Sequence, residues 1–304
     1  NLVYASLVQD LPQTQAEDLW LVSLFSELAP QLGVGGRSYL ENLEYVEENT
    51  GGISYDVALY QMATNPNLFN PKLHISGVAL ERNGDKLFSL MKEMASSLDF
   101  SDKERLKELI RQHFVQLENS LSQNAMQYAI CLSLSKESVP NSCVNSLSGF
   151  EYYCKIKDLT THLDDQIDQV SQKLNSFHNA LLACTQRDLV LTCSKEGYKR
   201  FFGAEFYGLA ALNTSVSGEK PKAFMHDFAL QKMQPTAHII AAPVAFNAKS
   251  FKALSYVHPD SASMALSAYI FKNSTLHTRI REQGGAYGAG ARYNPANANF
   301  YFFS

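Results

Sequence analysis

Twice in this chain, apolar residues at helical spacing lead through a helix end into two adjacent glycines that open onto an alternating segment, and this repetition limits the folds open to it. In the first instance Leu19, Leu21, Val22, Leu24, Phe25 and Leu28 mark a helix between Asp18 and Leu32. After a connection, Glu47-Glu48-Asn49-Thr50-Gly51-Gly52-Ile53-Ser54-Tyr55-Asp56-Val57 runs from a helix end into a strand. In the second, Met264, Leu266, Tyr269 and Ile270 recur at helical spacing and continue through Leu276 and Ile280 to Gly284 and Gly285. Asp260 and Ser261 follow a proline and can cap that helix. The opening strand, Leu2 to Val8, has a counterpart in His238 to Phe246, at nearly the displacement that separates the two glycine pairs. A repeat this long predicts two copies of one domain rather than a solenoid.

The second glycine pair carries the chemistry. A glycine just past a helix can adopt the left-handed conformation that closes the last turn, and Arg279 and Arg281 sit where the helix dipole favours cations. From Ala286 to Tyr293 small and aromatic residues alternate, which predicts a strand that another backbone can approach closely. The first copy has Ile53 and Ser54 after its glycines and no matching arginine, which assigns it to scaffold.

The first copy continues with a strand over Leu73 to Leu80 and a helix from Asp85 to Leu98. Ser101 and Glu104 make a capping box for a long helix with the stripe Leu106, Ile110, Phe114, Leu117 and Leu121. Further helix is expected through Tyr128 and Ile130, from Phe150 to Ile156 and from Leu163 to Leu182, followed by a strand, Leu189 to Cys193, and a helix from Tyr198 to about Leu212. Strands, a block of helices, a strand and a helix predict an α+β fold: a mostly antiparallel sheet covered by helices on one face. The expected division is a first domain at 1–212, a Ser/Thr/Gly/Lys/Pro-rich linker at 213–234 and a second copy at 235–304 that stops inside its third strand. That copy is expected to be truncated, lacking its block of helices, with an apolar sheet face left to another segment or chain.

The run Ile280-Arg281-Glu282-Gln283-Gly284-Gly285-Ala286-Tyr287-Gly288 resembles a motif of the pitrilysin or insulinase (M16) family of zinc metallopeptidases, and most closely of its presequence protease branch. The resemblance is to the C-terminal, non-catalytic half of that family, which is built from four such domains in two halves. It implies that Arg281 and Tyr287 are the catalytic contributors here, reaching into an active site in the other half to hold a substrate carbonyl. Gly284, Gly285, Ala286 and Gly288 would keep the neighbouring strand clear for a peptide. A guanidinium fork and a phenol hydroxyl are donors that can stabilise an oxyanion growing on a peptide carbonyl in a water-poor chamber. Without the resemblance, the same residues read as a helix stop followed by an ordinary hairpin strand.

The family's zinc site needs two histidines on one helical face, as His-x-x-Glu-His, with a distant glutamate. His74, His113, His162, His178, His226, His238, His258 and His277 each stand alone, so no metal-ligating residue is assigned. The nearest imitation, His162 with Asp164, Asp165 and Asp168, shares its helix with the buried stripe Leu163, Ile167, Val170 and Leu174, which makes the carboxylates a solvated face. Zinc is therefore expected in the parent enzyme and not in this stretch. The partners implied are peptide substrates and the N-terminal catalytic half of the same parent chain.

A net charge of −4 offers no electrostatic case for nucleic acid, and no run reaches membrane-span length. Five cysteines without a Cys-x-x-Cys pair read as reduced thiols, placing the protein in the cytoplasm or another reducing compartment, an organelle matrix if eukaryotic. The rival to an enzyme half is an inactive pitrilysin-like subunit that binds peptides or builds a complex.

Overall fold

The computed structural model describes residues 1–62, 64–184, 187–213, 230 and 235–304. Of the linker expected at 213–234, only Asn213 and Leu230 lie among them. Along the chain come β1 (Leu2–Asp10), α1 (Leu19–Leu28), β2 (Gly33–Val34), α2 (Tyr39–Asn49), β3 (Ile53–Met62), β4 (Asn65–Leu80), α3 (Gly84–Ser96), β5 (Leu98–Asp99) and α4 (Lys103–Gln123). Then follow α5 (Ala125–Leu134), α6 (Val139–Ser148), α7 (Phe150–Thr161), α8 (Leu163–Ala183), β6 (Arg187–Thr192) and α9 (Lys195–Gly203). The last elements are β7 (Ala248–Lys252), α10 (Ser261–Ile270), a π-helical continuation (Phe271–Gln283), β8 (Gly290–Asn294) and β9 (Asn299–Phe303). Mixed helices and antiparallel sheets make this the α+β class that the element order predicts.

The contacts divide into two units. The first comprises Asn1–Ala58, Asn70–Gln112 and Leu159–His226. Its sheet has the order β3-β4-β1-β6, with β1 antiparallel to both β4 and β6. Alternation along β1 sends Val3, Ala5 and Leu7 into the core, while Tyr4 on the other face is 51% exposed. Leu7 faces Ile75 on one side and Leu189 on the other, so one register fixes the inner face of three strands. Helices cover that face. Phe25 of α1 is 1% exposed and lies among Tyr55, Phe100 and Phe177, with ring centres 5.8, 5.9 and 5.1 Å away. Burying a side chain of that size contributes about 1.5–3 kcal/mol.

Local chemistry sets the helix ends. Ser38 and Glu41 form a reciprocal capping box at the start of α2. The box expected from Ser101 and Glu104 is replaced: Asp102 Oδ1 accepts from Arg105 N–H at 3.0 Å, and Ser101 N–H goes to Asp99. A carboxylate one residue nearer the helix is the better acceptor for a positive helix end. At the start of β6, buried Arg187 donates to Gln9 Oε1 and to the carbonyls of Leu181, Leu182 and Leu212. It closes the end of α8 and anchors the chain leaving α9. Between those points Glu205, Phe206 and Tyr207 all have φ near +50°, a left-handed run that costs roughly 1–2 kcal/mol per residue. Packing of Phe206 and Tyr207 on Phe88, at 5.8 and 6.3 Å between ring centres, offsets it.

The second unit comprises Leu59–Phe69, His113–Asp158 and Asp227–Ser304. Its sheet has the order β7-β9-β8, so its first strand pairs with its third and its second lies beyond the third. That is the arrangement of β1, β4 and β3. Ala268, Ala291 and Phe300 form a buried cluster on one face of this sheet, with Met264, Leu276 and Tyr293 packed around them. On the face that carries Ser250, α5 meets β7: Ser250 Oγ lies 2.8 Å from Ser133 O and 3.0 Å from Glu137 Oε1. On the face of Phe300, Phe251 and Phe271 stay 43% exposed.

Two strands fall elsewhere than expected. The segment His238 to Phe246 has no strand; the first strand of the second sheet is β7, from Ala248. Pro243 lacks a ladder donor, and the apolar alternation that suggested a strand there has no paired partner. The strand expected from Ala286 starts at Gly290. There Gly290 faces Phe303, while residues 286–288 run as a bend before the strand. Sequence reasoning also missed α6, whose Asn and Ser content reads as loop although Pro140 sits in the first turn, where proline costs no hydrogen bond.

Candidate functional site

The segment singled out by sequence begins in the last π-helical turn. From Phe271 to Gln283 no residue is fully buried, and Leu276 and Phe271 are the side chains that pack it on the sheet. His277 Nδ1 lies 3.2 Å from Glu282 Oε1, a contact between residues five apart. Such a pair points apart on an α-helix, where neighbours are three or four residues apart, and comes together when the turn widens. Reading for α-helical faces therefore passes over it.

Glycine then closes the turn. Arg281 O accepts from the N–H groups of Gly284 and Gly285, and Ile280 O accepts from Ala286 N–H at 3.1 Å. The nested pair resembles a Schellman closure widened by one residue. Each glycine has its own reason to be there. A Cβ on Gly284 would stand 2.7 Å from Ile280 O, and Gly285 has φ +72°. A Cβ on Gly290 would run into the ring of Phe303. Gly288 is different: nothing lies within 4 Å of where its Cβ would be, and it does not need a left-handed backbone.

Arg281, Gly284, Gly285, Ala286, Tyr287 and Gly288 lie along one segment with no buried residue. Arg281 is exposed at the end of the helix, and Tyr287, at a bend, is 96% exposed. Among the described residues neither side chain makes a hydrogen bond or an ion pair, and no hydrogen bond joins the two. Chemically, the segment offers a guanidinium and a phenol hydroxyl to solvent, flanked by backbone without side chains, a donor set suited to a carbonyl oxygen or carboxylate.

The first copy's glycines do something else. Gly51 N–H donates to Val78 O at 2.7 Å and Val78 N–H to Gly52 O at 3.3 Å, so the chain enters β3 already paired with β4. A Cβ on Gly51 would meet Val78, and Gly52 has φ +118°. These are structural glycines beside a strand.

The acidic cluster near His162 is accounted for by charge pairing. Asp164 lies 2.9 Å from Lys107 and 3.5 Å from Arg111, and Asp168 lies 2.5 Å from Lys103, so the acids of α8 answer the cations of α4. The hydrogen bond from Lys107 holds the Asp164 carboxyl below its usual range. Among the described residues no three His, Cys, Asp or Glu side chains converge as metal ligands.

The family model for the associated domain of peptidase M16, subfamily C, matches residues 1–159, just over half of the 304 residues. The chain belongs to this peptidase M16 subfamily C-associated family. The mitochondrial presequence protease of Yarrowia lipolytica is 25% identical over 313 residues, covering 100% of this chain and 30% of that protein. The chain corresponds to the C-terminal region of such relatives and spans about a third of their length. Solved structures share the fold of this M16-associated chain. A conserved protein from Enterococcus faecalis V583 superposes with a TM-score of 0.64 at 14% identity, over 99% of this chain and 69% of that one. A "peptidase M16 inactive domain" from Pseudomonas fluorescens does so with a TM-score of 0.52 at 14% identity, over 99% and 68%.

Proposed function

We propose that this M16-associated chain is the substrate-binding half of a zinc metalloendopeptidase that degrades unfolded peptides in a closed chamber. Arg281 and Tyr287 bind the carbonyl near the scissile bond, while the zinc ligands belong to the other half of a longer protein. The observation that carries this reading is the combination of Tyr287, 96% exposed and unbonded, with Gly288, whose missing side chain the fold does not require. An aromatic ring held in solvent beside open backbone is unexplained by packing and is explained by a peptide that docks there. The other glycines, by contrast, have structural reasons of their own.

The same strand order in both sheets supports two homologous copies, with the second adapted to substrate and the first to scaffold. The presequence protease relatives, with five cysteines that stand unpaired and lack a Cys-x-x-Cys spacing, favour a reducing compartment such as an organelle matrix. The reading is tested by joining this chain to its zinc-binding half and following peptide cleavage in Arg281→Ala and Tyr287→Phe variants.

A second reading, a pitrilysin-like subunit that binds peptides without cleaving them, is favoured by the likeness to a structure described as an inactive domain. It predicts that the same substitutions weaken peptide binding in a protein that never turns over.

A further inference from the structure

In the first unit the sheet ends at β6, which among the described residues pairs only with β1. Alternate backbone N–H and C=O groups along its outer side therefore have no ladder partner. Leu189 and Leu191 lie on the inner face opposite Leu7 and Ala5, yet they are half-buried where Leu7 and Ala5 are each 3% exposed. Beyond them the helix layer leaves an open groove of about 770 Å³ lined by Leu189, Leu191, Lys195, Tyr198, Phe202 and Phe206. The three aromatic rings form a cluster with centres 5.9, 6.2 and 6.5 Å apart. Tyr198 is 48% and Phe202 63% exposed, and the left-handed turn at Glu205–Gly208 supplies Phe206. Soluble proteins commonly guard an edge strand with charged side chains, proline or a bulge; in β6 the charged residues Arg187 and Asp188 stand at its start, and Leu189-Val190-Leu191 carries no such guard.

We propose that this groove is a peptide-binding site: an extended segment adds as a fifth strand to the free edge of β6, laying alternate apolar side chains on Tyr198, Phe202 and Phe206 and an acidic side chain at Lys195. The occupant follows from what is unsatisfied. A row of unpaired amides and carbonyls at strand spacing is matched by another extended backbone, and the aromatic cluster beside it takes every second side chain. Charge narrows the choice. Lys195 lines the groove, and neither it nor Lys199, one turn along α9, enters an ion pair among the described residues, so an acid is favoured there and a base opposed. The site uses residues of the first unit alone and does not depend on the role given to Arg281 and Tyr287.

The test is fluorescence anisotropy of this chain with a labelled heptapeptide carrying leucine at alternate positions and one glutamate. Saturable binding is expected. Methylating one alternate set of peptide backbone amides should weaken it at least tenfold while methylating the other set spares it, because only one set faces the edge. Exchanging the glutamate for lysine should weaken it several-fold. Phe202→Asp, at an exposed position where folding is checked by circular dichroism, should weaken it at least tenfold, and Tyr198→Ala should do so to a lesser degree. The proposal is overturned by no saturable binding, by equal binding of both methylated peptides, or by unchanged affinity in a folded Phe202→Asp protein. It is also overturned if sedimentation shows a dimer that Phe202→Asp converts to monomer, since a second copy would then own the groove.

Discussion

The backbone N–H of Ala286 donates to the carbonyl of Ile280 at 3.1 Å, turning the chain back on the helix it has just left. Gly285 N–H reaches Arg281 O inside that loop, also at 3.1 Å. The two bonds fix where the arginine ends and the tyrosine begins. Arg281 is thereby tied to the helix end, and Tyr287 is carried out on a bend that nothing packs against.

Substitutions at the glycines should therefore separate fold from function. Gly285→Ala forces a side chain into a left-handed residue, and Gly284→Ala presses a Cβ on Ile280 O; each should destabilise the second unit by about 1–2 kcal/mol in chemical denaturation. Gly288→Ala has open space and should change stability by less than about 0.5 kcal/mol. If Gly288→Ala nonetheless slows cleavage in the assembled enzyme, its absent side chain serves substrate.

Arg187 should be the costliest single polar position in the first unit. Removing its guanidinium takes a donor from Gln9 Oε1 and from the carbonyls of Leu182 and Leu212 in a buried site, and leaves Leu181 O with Cys184 N–H alone. Arg187→Met should lower the unfolding free energy by about 3–5 kcal/mol, measured by urea titration. Nothing in the sequence marks this arginine, because its partners lie on β1, α8 and the turn after α9.

That contrast describes what the residues disclose and what they conceal. The stripe Leu163, Ile167, Val170 and Leu174 is read correctly as a buried helix face because periodicity is a local property. The proposed site residues Arg281 and Tyr287 are singled out by a motif, and their exposure is not, since a helix stop looks the same whether or not anything covers it. The start of β8 at Gly290 and of β7 at Ala248 depends on which residues face β9, a long-range register that composition does not encode. The His277–Glu282 contact escapes because it requires a π-helical turn, and pattern reading assumes 3.6 residues per turn.

Stability should fall on mild acidification through His178. Its Nε2 lies 3.2 Å from Ala95 O, its ring stacks on Phe25, and burial lowers its pKa from the ordinary 6.5. The folded state resists a proton that the unfolded chain accepts, so stability present above pH 6.5 is lost as pH falls below it. The slope contributed is at most about 1.4 kcal/mol per pH unit. His178→Gln should flatten the pH dependence of the denaturation midpoint between pH 5 and 7.

The thiols should react in order of access. Burial pushes Cys143 up to about 12 and Cys131 up to about 11, whereas Cys154 is exposed. Mass spectrometry after brief iodoacetamide treatment of native protein at pH 8 should find Cys154 labelled well before Cys131, and Cys143 last.

In the proposed function Arg281 and Tyr287 act on substrate from outside the metal site. The most direct measurement is the turnover of an unfolded peptide by this chain joined to its zinc-binding half, with Tyr287→Phe and Arg281→Ala beside the parent. Loss of one oxyanion donor predicts a fall in kcat of about 100-fold or more with zinc content unchanged. Parental turnover in both variants would mean that neither side chain acts on substrate.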